Sequence, residues 1–550
     1  LNEHTSIRKR LWTAAVAVIA SLGAGAAFYQ QALQPAPLED IVPESAVGFI
    51  TTDVRWAWDA AKDIREMPDG AKALADLQEE LGFSVEADVV PWAGQVAGVL
   101  LSLDRNPTGA ILVEVRNPLQ YYKTMTRFRT HIEREATPFW KPADYNGVPL
   151  RYGYIGKGKT RVPVSTAWLK GWLVVGVGNG ASKRIIDAWQ NRKPSIADNG
   201  AWASCTQRMP EQRLLWAGFN SGALLPFYKQ MGLSPKLVSA GRAISMGAVT
   251  DLEDGFRAVS ASTATSSESR DIYARLVGEV TPVPATLVQR APDGAFAVFA
   301  ITNPGAYWDL YRPYFMAGIP PASRQDFEKG IKEMQPVVDA VRACKNGLAI
   351  AVTYREGTGF GATLIGDCGA GDAARAASED LRAFLRKADA QVTTSEDGST
   401  YAIEVGKDAG DKMFPFAPTW RVSDRYVTFA TSAQWLDPGD SPSWVEMPAE
   451  AAGAHVTAAG TFGFVEPLLQ VFASQQTSPD AGAEQQDDPV MEAMMQGWKS
   501  SEMGAARWSA WSRMREDGTT DGAWEIRDWP WRAALKNIAD ENRRKNAGQA

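Results

Sequence analysis

The same spacing of landmark residues occurs twice along this chain, once from about Pro43 to Gly278 and again from about Pro292 to Arg527. Phe49, Thr52, Trp58 and Asp59 recur as Phe299, Thr302, Trp308 and Asp309, at a constant offset of 250. Asn146-Gly147 recurs as Asp397-Gly398 at 251, and Trp172-Leu173-Val174-Val175 as Tyr426-Val427-Thr428-Phe429 at 254. Gly222 and Pro226 align with Gly463 and Pro467 at 241, and Asp254-Gly255 with Asp521-Gly522 at 267. Ordered drift of this kind is what loop insertions leave in a duplicated sequence, and it predicts two tandem repeats.

Length agrees with that division. A chain of 550 residues exceeds one hydrophobic core, and two units of about 240 residues each bury a core without help from metals or disulfides. The expected division is 1–30 as cytoplasmic stub and membrane anchor or signal, 31–42 as linker, 43–280 as repeat 1, 281–291 as linker, 292–533 as repeat 2, and 534–550 as a charged tail. The prolines of Thr281-Pro282-Val283-Pro284 suit the second linker. A net charge of -7 gives no basic face for phosphates, so nucleic acid is not an expected partner.

Arg8-Lys9-Arg10 precedes an uncharged run from Leu11 through Val18 to Tyr29, followed by Glu39-Asp40. As a helix the run is about 28 Å long, one hydrocarbon core, and the flanking charge orients the bulk of the chain outside the cytoplasm. Ala24-Gly25-Ala26 also has the form of a signal-peptidase site, so retained anchor and cleaved signal both stay open. The expected location is the cytoplasmic membrane with the body in the periplasm, or secretion into the periplasm on cleavage.

Alternating apolar runs and turn residues predict strands at 46–52, 96–103, 109–115, 149–155, 164–169 and 172–177, with helices at 56–81, 119–134 and 181–189. Hairpins dominate, so the fold class is α+β: in each repeat a largely antiparallel sheet with covering helices, after an N-terminal membrane helix. In repeat 2, Gly347–Tyr354 and Phe360–Ile365 read as a hairpin whose open end is flanked by Cys344 and Cys368. These two cysteines are the candidate disulfide, and Cys205 is read as a core residue.

Gly82-Phe83-Ser84 to Asp88, then Pro91-Trp92-Ala93-Gly94 leading into an apolar strand, resembles the bacterial domain of unknown function 3352 family. Asn146-Gly147-Val148, the strand from Trp172 to Val177, and Pro194-Ser195-Ile196-Ala197-Asp198 before Trp202 are similar to the same family. Repeat 2 departs from the pattern: Asp339-Ala340-Val341-Arg342 falls about where Pro91-Trp92 would. The resemblance implies an anchored bacterial envelope protein and no known reaction.

Other motifs are weaker than they look. Gly153-Tyr154-Ile155-Gly156-Lys157-Gly158-Lys159-Thr160 fits the phosphate-loop formula, but the β-branched residues after it read as a strand where the loop requires a helix. Gly176-Val177-Gly178-Asn179-Gly180 imitates a dinucleotide fingerprint and reads as a tight strand-to-helix turn. His4, His131 and His455 have no local ligand or triad partner. Asp251, Glu253 and Asp254 sit at a turn, while Glu484, Asp487 and Asp488 sit in the polar stretch 474–489. Met491, Met494, Met495 and Trp498 have the spacing of a packed helix face.

No catalytic residue, cofactor site or metal site is therefore assigned. The expected function is a membrane-tethered extracytoplasmic binding or scaffolding protein, with a lipid or another envelope protein as partner. The alternative is an envelope hydrolase whose carboxylates assemble between the repeats.

Overall fold

The computed structural model describes residues 35–528, apart from 63–64, 66–67, 82–83, 104–105, 136–140, 156–160, 231–233, 253, 293, 356–358, 388–389, 404–417, 438–447 and 463–505. The first half contributes β1 (Gly48–Asp53), β2 (Ala93–Ser102), β3 (Thr108–Val115), β4 (Lys141–Tyr145), β5 (Val148–Ile155), β6 (Val162–Leu169), β7 (Trp172–Val177), β8 (Leu215–Asn220), β9 (Ala243–Leu252) and β10 (Gly255–Ala264). The second contributes β11 (Ala295–Ile301), β12 (Gly347–Arg355), β13 (Gly359–Asp367), β14 (Val392–Thr394), β15 (Thr400–Ile403), β16 (Thr419–Ser423), β17 (Tyr426–Ala430), β18 (Val456–Thr461), β19 (Arg507–Met514) and β20 (Thr519–Arg527).

Every described pairing is antiparallel, as the hairpin spacing predicts. In the first half the spatial order is β4-β5-β6-β7-β3-β2-β1-β8-β9-β10. In the second it is β14-β15-β16-β17-β13-β12-β11-β18-β19-β20, the same order element for element. β10 then pairs with β20 from Phe256↔Ile526 to Thr263↔Thr519, so the two halves share one continuous sheet.

The helices that bear on function are α1 (Val54–Ala60), α2 (Pro68–Leu81), α3 (Pro118–Glu135), α4 (Ala181–Trp189), α5 (Gly200–Thr206), α6 (Ser267–Glu279), α7 (Ala285–Val288), α8 (Pro304–Gly318), α9 (Gln335–Ala343) and α10 (Gly371–Lys387). Strand alternation sends side chains to two faces. The front face holds the largest core, where Phe49, Val99, Leu112 and Trp216 meet α4 through Ile185 and Ile186 and α5 through Trp202 and Cys205. Its continuation in the second half packs Val298, Ala300, Ala351 and Ile365 against α7. On the back face α3 covers the first half with Tyr121 and Met125, and Trp92 fills the space between helix and sheet.

The family-like motifs explain themselves here. Trp92 is fully buried, donates its indole N–H to the Asp88 carbonyl and meets Tyr121 edge-on at 4.9 Å. A Cβ on Gly94 would lie 2.3 Å from Glu114 Oε2, the atom that accepts the Gln95 amide, so a larger residue would have to displace that carboxylate. Ser195 and Asp198 form a capping box that seats buried Ile196 beneath the front core.

Tertiary packing revises several sequence-based expectations. The stretch 31–42 was expected to be a linker, yet Leu38, Ile41 and Val42 are buried in the front core and Ala36 accepts the Trp172 indole N–H. Likewise 281–291 carries α7, whose Leu287 and Val288 enter the second core. The second stretch reads as a linker because prolines punctuate it, yet apolar residues of both stretches are buried against the sheet. The alignment of Phe49 with Phe299 also fails in detail: Phe49 is in the front core, whereas Phe299 points to the back face and is 47% exposed. A one-residue slip reverses every side chain of a strand, although Asp53 and Asn303, again 250 apart, both cap the following helix. By strand position Asp254-Gly255 corresponds to Asp517-Gly518 in the turn before β20, because Asp521-Gly522 lies inside that strand.

His455 is buried, and its Nδ1 accepts the Met514 amide. Burial, then the charge of Arg513, depresses its pKa below the ordinary histidine value. Acidification through about pH 6.5 therefore protonates the unfolded chain first, so this contribution to stability is complete above that pH and is lost below it. The wild-type unfolding midpoint is expected to fall between pH 7.5 and pH 5.5 by more than that of His455→Asn, which keeps an acceptor that does not titrate. Parallel pH profiles for the two proteins would contradict this.

Candidate functional site

In the second half the back face is covered differently. α9 lies between α8 on one side and α10 on the other. Its first turn carries Pro336, tolerated there because the amide is unpaired at a helix start, and Val337, Val338 and Val341 follow on an apolar stripe. Such a stripe is normally buried in a core. Here no residue of α9 is fully buried, because the stripe looks into two voids.

The larger void, about 590 Å³, lies between α8 and α9 and is lined by Tyr307, Trp308, Tyr311, Phe315, Val338 and Arg342 among others. The smaller, about 330 Å³, lies between α9, α10 and the sheet, with Leu348 and Leu364 as floor and Leu381 and Leu385 as roof. Val337 and Val341 border both. Volumes of this size are those of small-molecule sites, and the lining is almost entirely apolar.

The second void occupies the place that Trp92 fills in the first half. α3 follows the β2-β3 hairpin and α10 follows the β12-β13 hairpin, so each lies over equivalent strands. Where Pro91-Trp92 plugs the first space, the second half has α9 ending in Asp339-Ala340-Val341-Arg342, and the space stays open.

A few polar groups face this apolar setting. Tyr307 Oη, Trp308 Nε1 and Arg342 Nε are buried atoms without a hydrogen-bond partner, and such atoms are costly unless a ligand satisfies them. Burial first, then the neighbouring phenols Tyr311 and Tyr273, raises the Tyr307 pKa, and Tyr311 is pushed up to about 12, so both hydroxyls stay neutral donors. Arg342 pairs with Asp309 and, at 3.1 Å, with Asp339, and the Asp309 hydrogen bond raises its pKa further. The α8–α9 approach is close at Gly305, where a Cβ would lie 2.9 Å from Arg342 Cγ. The arrangement can hold an apolar chain and offer neutral donors to an oxygen at one end.

Cys344 and Cys368 come together as the hairpin predicts, with their sulfurs 3.9 Å apart as free thiols, Cys344 at the edge of the smaller void. Contact with Cys368 and burial raise the Cys344 pKa. Cys205 is a core residue whose thiol burial pushes up. The membrane run with Leu11, Val18 and Tyr29, His4, the acidic stretch 474–489 and the Met491–Trp498 cluster lie outside the described residues, and His131 lies on α3. No helix among the described residues is long and apolar enough to cross a membrane.

The phosphate-loop lookalike joins two antiparallel strands, with Ile155 opposite Val162; residues 156–160 are not described. The Gly176–Gly180 turn leads from antiparallel β7 into α4, with Gly178 and Gly180 at positive φ. Among the described residues no three His, Cys, Asp or Glu side chains cluster as metal ligands. Sequence reasoning missed Tyr307, Val337, Val341 and Leu364. The available signal was that no Pro-Trp element stands in front of β12.

The profile of a family described as a protein of unknown function (DUF3352) matches residues 12–405, and the chain belongs to that family. No curated protein matches. Among solved structures the chain is similar to crystal form IV of TP0453, at 12% identity over 44% of this chain and 83% of that one, with a TM-score of 0.24. Crystal form III of TP0453 matches at 11% identity over 45% and 89%, with a TM-score of 0.23.

Proposed function

We propose that this DUF3352 protein is a membrane-tethered, extracytoplasmic, non-catalytic binding protein of the bacterial envelope that holds a hydrophobic ligand beneath α9. One observation carries the reading: an apolar helix with no buried residue separates two apolar voids, beside buried donors that lack partners. The tether rests on Arg8-Lys9-Arg10 and the uncharged run to Tyr29. The identical strand order of the halves supports a tandem duplication, after which one copy lost its plug and became the ligand site. Pairing of Cys344 with Cys368 in an oxidising periplasm would brace the void wall between α9 and β13.

The hydrolase reading needs free carboxylates between the halves. Those at the β10–β20 seam are held by arginines: Glu525 by Arg257 and Arg527, Asp521 by Arg513 and Arg515, and Glu450 by Arg257. Against the effect of burial, hydrogen bonds from Arg515 and Arg513 lower the Asp521 pKa, away from the raised value a general acid needs.

The test is displacement of a fluorescent long-chain fatty acid from the full chain, with Leu364→Trp to fill the smaller void. Affinity is expected to fall about tenfold or more, roughly 1.4 kcal/mol, with the unfolding midpoint nearly unchanged. Equal affinity of the variant and the wild type would sink the proposal.

A further inference from the structure

The back face between the two covered regions is an apolar surface that neither half could make alone. From β8 the direct cross-strand partners run Leu215, Val249, Ala258 and Trp524, crossing the seam between the halves. They continue as Ala510, Ala458, Phe299 and Ile350. The row ends at Leu364 and Phe429, which line the smaller void beneath α9. It crosses ten strands without one polar side chain, about 43 Å at roughly 4.8 Å per strand.

Much of the row is open: Phe299 is 47% exposed, Trp524 44% and Ile350 39%; on the same face Ile50, one row away, is 51% exposed and Phe219, two rows away, 41%. An uncovered sheet face is ordinarily the polar one. Here the polarity is reversed at the seam, where the charged pairs Arg257–Glu525 and Arg513–Asp521 project from the front of the same strands. A contiguous exposed apolar surface marks an interaction site.

We infer that this face binds the acyl chains of long-chain amphiphiles and is continuous with the void, so that both halves form one extended lipid-binding surface. The inference rests on the proposed function of the void. Three features favour acyl chains over a protein partner. Between Trp524 and Phe299 the row is floored by the small side chains Ala510 and Ala458, which project little above the sheet. Two of the serines beside the row find partners on the sheet itself, Ser262 with Thr520 at 2.5 Å and Ser260 with the Gly522 carbonyl at 3.5 Å. A protein interface of this extent would carry many hydrogen bonds and a polar rim, whereas a methylene chain needs none.

The experiment is photolabelling of the full chain with a diazirine-bearing palmitate, followed by peptide mapping. Adducts are expected on peptides containing Phe219, Trp524 and Phe299 as well as on α9 and α10. In Trp524→Glu, labelling around Phe299 is expected to drop about fivefold while α9 and α10 stay labelled, because a charge in the row disfavours an apolar chain. The exposed position keeps that variant folded, which an unchanged unfolding midpoint verifies. Adducts confined to α9 and α10 would overturn the extended surface and leave the void reading intact. No adducts anywhere would overturn both. Protection of the row by a dimer seen in sedimentation would assign the face to a second copy and overturn the acyl-chain assignment.

Discussion

Trp92→Ala is expected to lower the unfolding free energy by about 3–5 kcal/mol, the range for removing a large aromatic side chain from a packed core. Its indole is fully buried between α3 and the back of the sheet, against Val113, Leu173 and Val175. The cavity left behind cannot collapse, because Thr124 Oγ1 also donates to the Asp88 carbonyl and pins the wall of that space. Trp92→Phe retains most of the ring contact with Tyr121 and loses the indole hydrogen bond, so its cost is expected to be about 1–2 kcal/mol. Urea denaturation of both variants checks the pair of values. A Trp92→Ala protein as stable as wild type would mean that the plug is not what separates the two halves. The alanine variant is also expected to open a void in the first half like the one beneath α9.

Glu525→Ala is expected to destabilise the seam by about 2–3 kcal/mol. Glu525 is buried on the front face, receives Arg257 Nη1 at 3.2 Å from its direct cross-strand partner, and is bound by Arg527 at the same distance. Its removal takes the shared anion from two guanidinium groups, leaving Arg257 with Glu450 and the half-exposed Arg527 with Asp254. Glu525→Gln keeps the shape and two acceptor sites, and is expected to cost roughly half as much. The measurement is thermal unfolding of both variants, with limited proteolysis to read the seam. Cleavage should concentrate near the β9–β10 and β19–β20 turns. Unaltered proteolysis and midpoint would show that the β10–β20 ladder alone holds the halves together.

The seam also bears on whether residues 39–279 fold alone, an expectation taken from length. β10 is the edge strand of that fragment, and eight of its residues face β20 in register. An edge of that length templates association with another chain.

Element types were legible along the chain because periodicity reports which side of a strand or helix meets a core. The hairpins β2-β3 and β12-β13 and helix α4 fall where alternation and turn residues predict them. Register was legible only coarsely. Offsets of 250 align the caps Asp53 and Asn303 yet set Phe49 and Phe299 on opposite faces, because a strand has period two and a slip of one residue leaves composition unchanged.

The site was legible only as an absence. Val337, Val338 and Val341 form a stripe that would look the same packed in a core, and the missing Pro-Trp element in front of β12 was visible without its consequence. The sequence by itself determined the antiparallel α+β class and the nearness of Cys344 to Cys368. Only the tertiary structure decided that β10 joins β20, that α9 stands over empty space, and that ten strands present one apolar row. Local periodicity encodes which residues of a segment share a face, but what lies opposite that face depends on segments hundreds of residues away, and so does whether it is filled or open.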